Sequence, residues 1–231
     1  MTPATASGTV STANITSVAV TCQTGYTVGG TVTGLNGNNL VMRNTIATFG
    51  GGTTSSDFVI STNTFTFPEM LTGGGATPDS YSVQILNHPE SPYQTCGISN
   101  SAGTMPAANI TNVSVTCTNV TVQFQAATGN AAEANATIDI PMTISPASAR
   151  PLNLTLALAA GTAAAGVDFN FLTPTISVPV GATTVNAQIQ VFQDSAYEPN
   201  ETVLINLTGV DKAALGSTVN YTHTINNDDA V

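Results

Sequence analysis

Residues 108–117 read Ala-Asn-Ile-Thr-Asn-Val-Ser-Val-Thr-Cys, and residues 13–22 read Ala-Asn-Ile-Thr-Ser-Val-Ala-Val-Thr-Cys. The two stretches stand 95 positions apart, and both alternate apolar with small or hydroxyl side chains: Val113, Val115, Cys117 and Val18, Val20, Cys22. A period of two places these side chains on one face of a half-buried strand. The likeness runs further upstream, Ser7-Gly-Thr-Val10 against Ala102-Gly-Thr-Met105. Two accounts fit it. The strands are similar elements of one domain, or each closes a repeat of its own. The second account predicts that residues 1–22 are the terminal strand of a preceding repeat and that 23–118 form one complete repeat.

Working outward, Tyr26-Thr-Val-Gly-Gly-Thr-Val alternates and runs into Gly34-Leu-Asn-Gly37, a turn signal. Further strands are expected near Leu40–Arg43, Phe58–Phe67, Tyr81–Leu86 and Cys96–Ser99, separated by stretches such as GGGTTSS and TGGGATPDS. After residue 118 the alternation is stricter. Ile138, Ile140, Met142 and Ile144 form one set, followed by Leu152 to Leu158, Val185 to Val191 and Val203 to Leu207, each at every second position. Such sets are what two sheets closing on a shared core require. The expectation is an all-β chain of two tandem antiparallel β-sandwich modules, immunoglobulin-like or Greek-key in their connections, without significant helix. The second module spans 119–231. Cys117-Thr-Asn-Val120 passes almost directly from strand to strand, which predicts a stiff joint.

Composition narrows the function classes. Only 7% of the residues are charged, 3 Lys+Arg against 13 Asp+Glu, for a formal net charge of −10. A basic footprint is absent, so nucleic acid and anionic membrane surfaces are not expected partners. No apolar run is long enough to span a bilayer, and no membrane insertion is expected. Met1 is followed by TPATASGTVST, without a basic or apolar leader region. That suits a mature chain or a piece of a longer one.

Three cysteines are present, Cys22, Cys96 and Cys117. Cys96 and Cys117 flank a segment short enough to join neighbouring strands by a disulfide. Cys22 stands where Cys117 stands in the other copy, so its partner is expected outside this module. Three buried free thiols are the alternative. A nucleophilic cysteine lacks a base, since His88 and His223 sit in no motif, and zinc lacks closely spaced Cys or His pairs.

Nine of the 13 acidic residues follow position 118. Glu133 follows the module's first strand, Asp168 sits in Ala-Gly-Val-Asp-Phe, and Asp194, Glu198 and Glu201 share one loop. Asp228 and Asp229 come at the end, in Asn-Asn-Asp-Asp. Carboxylates on loops at strand ends can converge on one apex. With hardly any Lys or Arg to neutralise them, a bound cation would relieve their repulsion. Ca²⁺ takes six to eight oxygen donors in variable geometry and suits such a set. Acidic loops are also often merely solvated.

From about Val120 to Asp229 the chain resembles a Calx-β domain. The matching elements are Ala132-Glu133, the Gly-x-Ala-x-x-Gly-x-Asp-Phe string from Gly161 to Phe169, Val178-Pro-x-Gly181, the loop Asp194…Glu198-x-x-Glu201, and the closing Ile-x-Asn-Asp-Asp. The resemblance implies a Ca²⁺ site made by Glu133, Asp168, Asp194, Glu198, Glu201, Asp228 and Asp229. Gln193 and Asn227 stand where strong binders tend to carry further acids, which implies fewer ions or weaker binding. The first module resembles repeats of large bacterial exported proteins, through Tyr26-Thr-Val-Gly-Gly-Thr-Val-Thr-Gly-Leu and the Asn-Ile-Thr-x-Val-x-Val-Thr-Cys strand.

The expected role is therefore a non-enzymatic spacer or stalk segment of an extracellular, bacterial cell-surface, adhesin-like protein, with Ca²⁺ stiffening the second module. Its expected partners are neighbouring repeats or identical subunits, with a host-cell, glycan or matrix ligand as a further possibility. One alternative is a filament subunit whose strand 7–22 docks into a neighbour's sheet. Another is a carbohydrate- or protein-binding module, which without Trp would have to use Tyr26, Tyr81, Tyr93 or Tyr197. Glu198 and Glu201 as an acid/base pair for glycoside hydrolysis are the weakest reading.

Overall fold

The structure is a computed structural model that describes residues 24–74 and 76–230; the strand expected over 1–22 lies outside the described residues. Every regular element among the described residues is a strand. The first ten are β1 (Gly25–Tyr26), β2 (Val28–Thr33), β3 (Leu40–Ala47), β4 (Thr53–Ile60), β5 (Thr64–Thr66), β6 (Leu71–Thr72), β7 (Ser80–Asn87), β8 (Gln94–Ser99), β9 (Ala102–Thr104) and β10 (Ile110–Asn119). They form sheets ordered β5-β2-β10-β8 and β4-β3-β7-β9, with β1-β6 as a small pair beside them. Between the two larger sheets lies a core that includes Val28, Leu40, Met42, Phe67, Leu71, Val113 and Val115, each at most 1% exposed. The chain is thus all-β, two sandwiches in tandem.

The central strand of the first sandwich is β10, parallel to β2 on one side and antiparallel to β8 on the other. It approaches β2 so closely that a Cβ on Gly30 would run into the Val113 carbonyl, and one on Gly34 into the Cys117 carbonyl. A Cβ on Gly29 would likewise run into the Phe65 carbonyl of β5, so both glycines of this pair, otherwise costly inside a strand, are explained by close backbone approach on the two sides of β2. Across the other edge Cys117 faces Cys96, and the two form a disulfide. Two details differ from the expectation. The stretch Phe58–Phe67 is not one strand, because the chain leaves β4 after Ile60 and crosses to the opposite sheet as β5. And Thr53 to Ser56, expected to be a spacer, belongs to β4, an edge strand whose first residues are mostly exposed and therefore carry no apolar alternation.

The second sandwich uses β11 (Thr121–Phe124), β12 (Thr128–Ala132), β13 (Ala136–Ser145), β14 (Leu152–Ala159), β15 (Phe169–Phe171), β16 (Thr175–Val178), β17 (Thr184–Val191), β18 (Glu201–Val210), β19 (Ala214–Leu215) and β20 (Asn220–Asn226). Its sheets are ordered β15-β17-β13-β11-β19 and β12-β20-β18-β14-β16. Pairing is mostly antiparallel, with β11–β19 and β12–β20 parallel. The alternating sets fill the core: Ile140, Met142, Leu152, Leu154, Ala187, Ile189, Val191 and Ile205 are 0% exposed. Leu158, last of its set, is 39% exposed at the strand end that leads towards Asp168.

The two sandwiches meet through the loop between β7 and β8. The Glu90 carboxylate bonds the Arg150 guanidinium at 2.8 Å, and the Tyr93 N–H donates to the Lys212 carbonyl at 2.6 Å. The Val120 N–H donates to the Tyr93 carbonyl and the Thr95 hydroxyl to the Ala147 carbonyl. Lys212 lies over the Tyr93 ring, 5.8 Å from its centre, and that ring packs against the second core. Two of the chain's three basic side chains are thus spent on the joint.

Candidate metal centre

The loops that carry the acids leave the same end of the second sandwich. Glu133 directly follows β12, Asp168 precedes β15, Asp194 and Glu198 lie between β17 and β18, Glu201 opens β18, and Asp228 and Asp229 follow β20. Because β12 pairs with β20 and β18 with β20, three of those strand ends are neighbours in one sheet. Backbone bonds fix the rest: the Glu133 N–H donates to the Asn226 carbonyl, and the Phe192 N–H to the Asp168 carbonyl, both at 2.9 Å.

Six of the seven expected carboxylates form two triads. In one, Glu133, Asp228 and Asp229 offer oxygens within 4.8 Å of one another; in the other, Asp168, Glu198 and Glu201 do the same. Asp194 stands outside both triads, its Oδ1 accepting the Ala196 N–H at 2.7 Å. It still acts on them electrostatically. Burial, then the negative charges of Asp194, Asp229, Glu198 and Asp228, push the Glu133 carboxyl up. Glu201 is pushed up to about 7, first by burial, then by a hydrogen bond and charge repulsion from Asp168, then by Glu198 and Glu133. The triads therefore belong to one electrostatic cluster.

No positive side chain balances that cluster. Arg43 is bonded to Asp57, Arg150 to Glu90, and Lys212 sits over Tyr93. Oδ2 of Asp229 is buried with no hydrogen-bond donor. Glu133 and Asp168 are only 6% and 8% exposed, and although the Ala164 N–H donates to Asp168 Oδ2, neither carboxylate has a cationic side chain beside it; buried carboxylates without a compensating charge are rare. Oxygen donors, crowding, and a buried oxygen without a donor fit a hard divalent cation, and Ca²⁺ better than Mg²⁺, which demands a stricter octahedron.

Where acids are missing from the sequence pattern, amides brace the site. The Gln193 side-chain amide donates to Asp228 Oδ1 at 3.1 Å and to the Asp194 carbonyl at 3.0 Å. Asn227 accepts the Glu198 N–H through its Oδ1 and donates through its Nδ2 to the Asp229 carbonyl at 3.0 Å. These two residues hold the β17–β18 loop against the end of β20. Their bracing role was not read from the sequence, because an amide in an acidic loop gives no signal of which backbone groups it reaches.

No family model matches the chain, and no curated protein does. Solved structures do. The apo form of the Calx CBD1 domain is 21% identical over 48% of this chain and 100% of that one, with a TM-score of 0.45. The calcium binding domain CBD12 of CALX1.1 is 22% identical over 47% of this chain and 44% of that one, TM-score 0.44, so the chain spans less than half of that structure. The major pilin subunit of Bacillus cereus is 11% identical over 87% of this chain and 70% of that one, TM-score 0.26.

The remaining candidates fall elsewhere. His88 lies at the joint, its Nδ1 accepting the Cys96 N–H at 3.0 Å, and burial followed by the charge of Arg150 pushes its imidazole down. His223 is 1% exposed against the Tyr221 ring, also pushed down by burial. Neither histidine joins a triad. Of the four tyrosines considered for sugar stacking, Tyr81 is buried, Tyr26 packs on the first core and Tyr93 packs at the joint, while Tyr197 is 59% exposed. Glu198 and Glu201 share their space with Asp168, so the cluster there is three carboxylates rather than a pair.

Proposed function

We infer that this chain is a non-enzymatic, Ca²⁺-binding structural segment of an extracellular protein, a two-module spacer with the ion stiffening the apex of its second sandwich. The observation that carries the reading is the double triad: six carboxylates on four loops and strand ends, without a cation of the protein's own, one buried oxygen lacking any donor. Ca²⁺ would tie those loops together and remove their mutual repulsion. Support for a spacer comes from the joint, where five hydrogen-bonded or ionic contacts and a packed ring link the modules within a few residues. The Cys96–Cys117 disulfide suits an oxidising compartment. The sequence likeness of the first module to bacterial exported repeats makes a bacterial surface protein of adhesin type the parent we favour.

Calorimetric titration of the metal-free chain with Ca²⁺ tests the reading. Binding with a dissociation constant in the range of ~10⁻⁴–10⁻³ M, as in many extracellular modules, is expected. Replacing Glu133 and Asp229 by Gln and Asn should abolish it. No heat, and no change in melting temperature at millimolar Ca²⁺, would remove calcium from the proposal.

A further inference from the structure

The first sandwich has one open side that its own sequence leaves unguarded. β4 ends the sheet β4-β3-β7-β9, and among the described residues its outer edge pairs with no other strand. Edge strands are usually blunted by Lys, Pro, a bulge or a short length. β4 reads Thr-Thr-Ser-Ser-Asp-Phe-Val-Ile, 8 residues in unbroken register with β3, without Lys, Pro or a bulge. Its one charge, Asp57, is held by the Arg43 guanidinium through two bonds, at 2.6 and 2.9 Å, which neutralise it.

The hairpin between β3 and β4 decides which backbone groups are free. The Thr48 N–H donates to the Gly52 carbonyl at 2.8 Å, so the ladder continues with Ile46–Thr54, Asn44–Ser56 and Met42–Phe58 as its hydrogen-bonded pairs. The other side of β3 agrees: Val83, opposite Asn44, donates its N–H away from β3 to the Ser101 carbonyl. Thr53, Ser55, Asp57 and Val59 therefore turn their N–H and C=O groups outward. The even-numbered side chains face the core. Among them Phe58 is 36% exposed although its ring packs edge-on against Phe67, and Ser56 has a buried Oγ with no hydrogen-bond partner. Asn44, directly across from Ser56, is 0% exposed with neither atom of its amide bonded.

We propose that β4 is a docking edge for β4 of a second copy of this chain, the two strands pairing antiparallel about a two-fold axis at Ser56. Charge selects this register. An axis at Asp57 would set two carboxylates directly opposite one another, which is destabilising. An axis at Ser55 would place Val59 against the partner's Gly51, in the hairpin turn. With the axis at Ser56, Ser55 pairs with the partner's Asp57 and Thr53 with the partner's Val59, each pair exchanging two backbone bonds. Every outward group of the strand is then used, and the symmetry makes each contact twice. On the core-facing side Thr54 meets the partner's Phe58 and covers its exposed part. The two Ser56 hydroxyls face each other at the axis, in a non-hydrogen-bonded pair where side chains come closest, and one donates to the other. β4 is thus complementary to itself, and one sheet runs through both first modules. So narrow an interface implies a dissociation constant on the order of 10⁻⁵–10⁻⁴ M. The idea is independent of the calcium site.

Sedimentation equilibrium of the full chain with calcium chelated tests it, from about 1 µM to about 1 mM protein in ~0.15 M NaCl. A monomer–dimer equilibrium is expected. Amide exchange at Ser55, Asp57 and Val59 should slow as the dimer fills, while that of β10 stays unchanged. Two substitutions at one exposed position fix the register. Ser55→Asp sets a carboxylate against the partner's Asp57, twice per dimer, and should weaken association by about tenfold or more. Ser55→Lys sets an ammonium at the same place and should tighten it by about threefold. Chains that stay monomeric at about 1 mM, dimers whose β4 amides exchange as fast as in the monomer, or two substitutions that act in the same direction overturn the proposal.

Discussion

Single residues at the apex set the pH behaviour of the metal-free protein. Glu201 has a folded pKa of about 7 against an unfolded 4.5, so the folded state holds its proton more tightly. Stability from this source is complete below about pH 4.5 and is lost as pH rises through 7. The metal-free second module should therefore melt higher at pH 5.5 than at pH 8, by roughly 5 °C, with Glu201→Gln flattening the difference. Ca²⁺ should reverse the trend, since it displaces the proton and binds more tightly as pH rises; thermal scans at four pH values with and without the ion check both signs. Gln193→Asp adds a charge beside Asp228 and removes a hydrogen bond. It should lower the metal-free melting temperature and tighten Ca²⁺ binding by about tenfold, read by titration.

Elements show what the sequence could and could not say. Strands buried on one face were legible from their alternation, as Ile140 to Ile144 and Val203 to Leu207 demonstrate. The edge strand β4 was not, since Thr53 to Ser56 pair only with β3 and have little apolar surface to show. The acids were legible as a set, because charge is scarce in this chain, but their division into two triads depends on strand ends that meet only in the folded sheet. The joint was legible as short and not as to its fastening. There, magnitudes decide what matters. The Glu90–Arg150 pair is about a third exposed on both sides and contributes at most about 1 kcal/mol, falling with salt. The backbone bonds through Tyr93 and the packing of its ring are not screened. Raising NaCl to half molar should leave the two modules with one common NMR alignment tensor, as should Arg150→Ala, whereas Tyr93→Ala should give each module its own. If salt alone separates the tensors, the ion pair holds the joint.

At the scale of the whole molecule, two sandwiches with separate cores differ in what can reinforce them. The first has a covalent bond between neighbouring strands, closing a loop of 21 residues' separation. Its removal should cost about 3 kcal/mol by loop entropy. The second has no such bond among its described residues and concentrates uncompensated negative charge at one end. A ligand bound only by the folded state stabilises it by RT ln(1 + [L]/Kd), about 2 kcal/mol at 10 mM Ca²⁺ for a dissociation constant near 0.4 mM. On a module of this size that is a rise of roughly 10 °C. The two reinforcements should therefore dissociate in calorimetry. Reduction with a phosphine lowers one transition and leaves the other unmoved, while chelation lowers only the second. Cys96→Ser should mimic reduction, and Asp168→Asn should mimic chelation. If chelation moved the disulfide-dependent transition as far as its own, the joint would couple the two cores into one unfolding unit, and calcium at the apex would then stabilise both modules rather than the second alone.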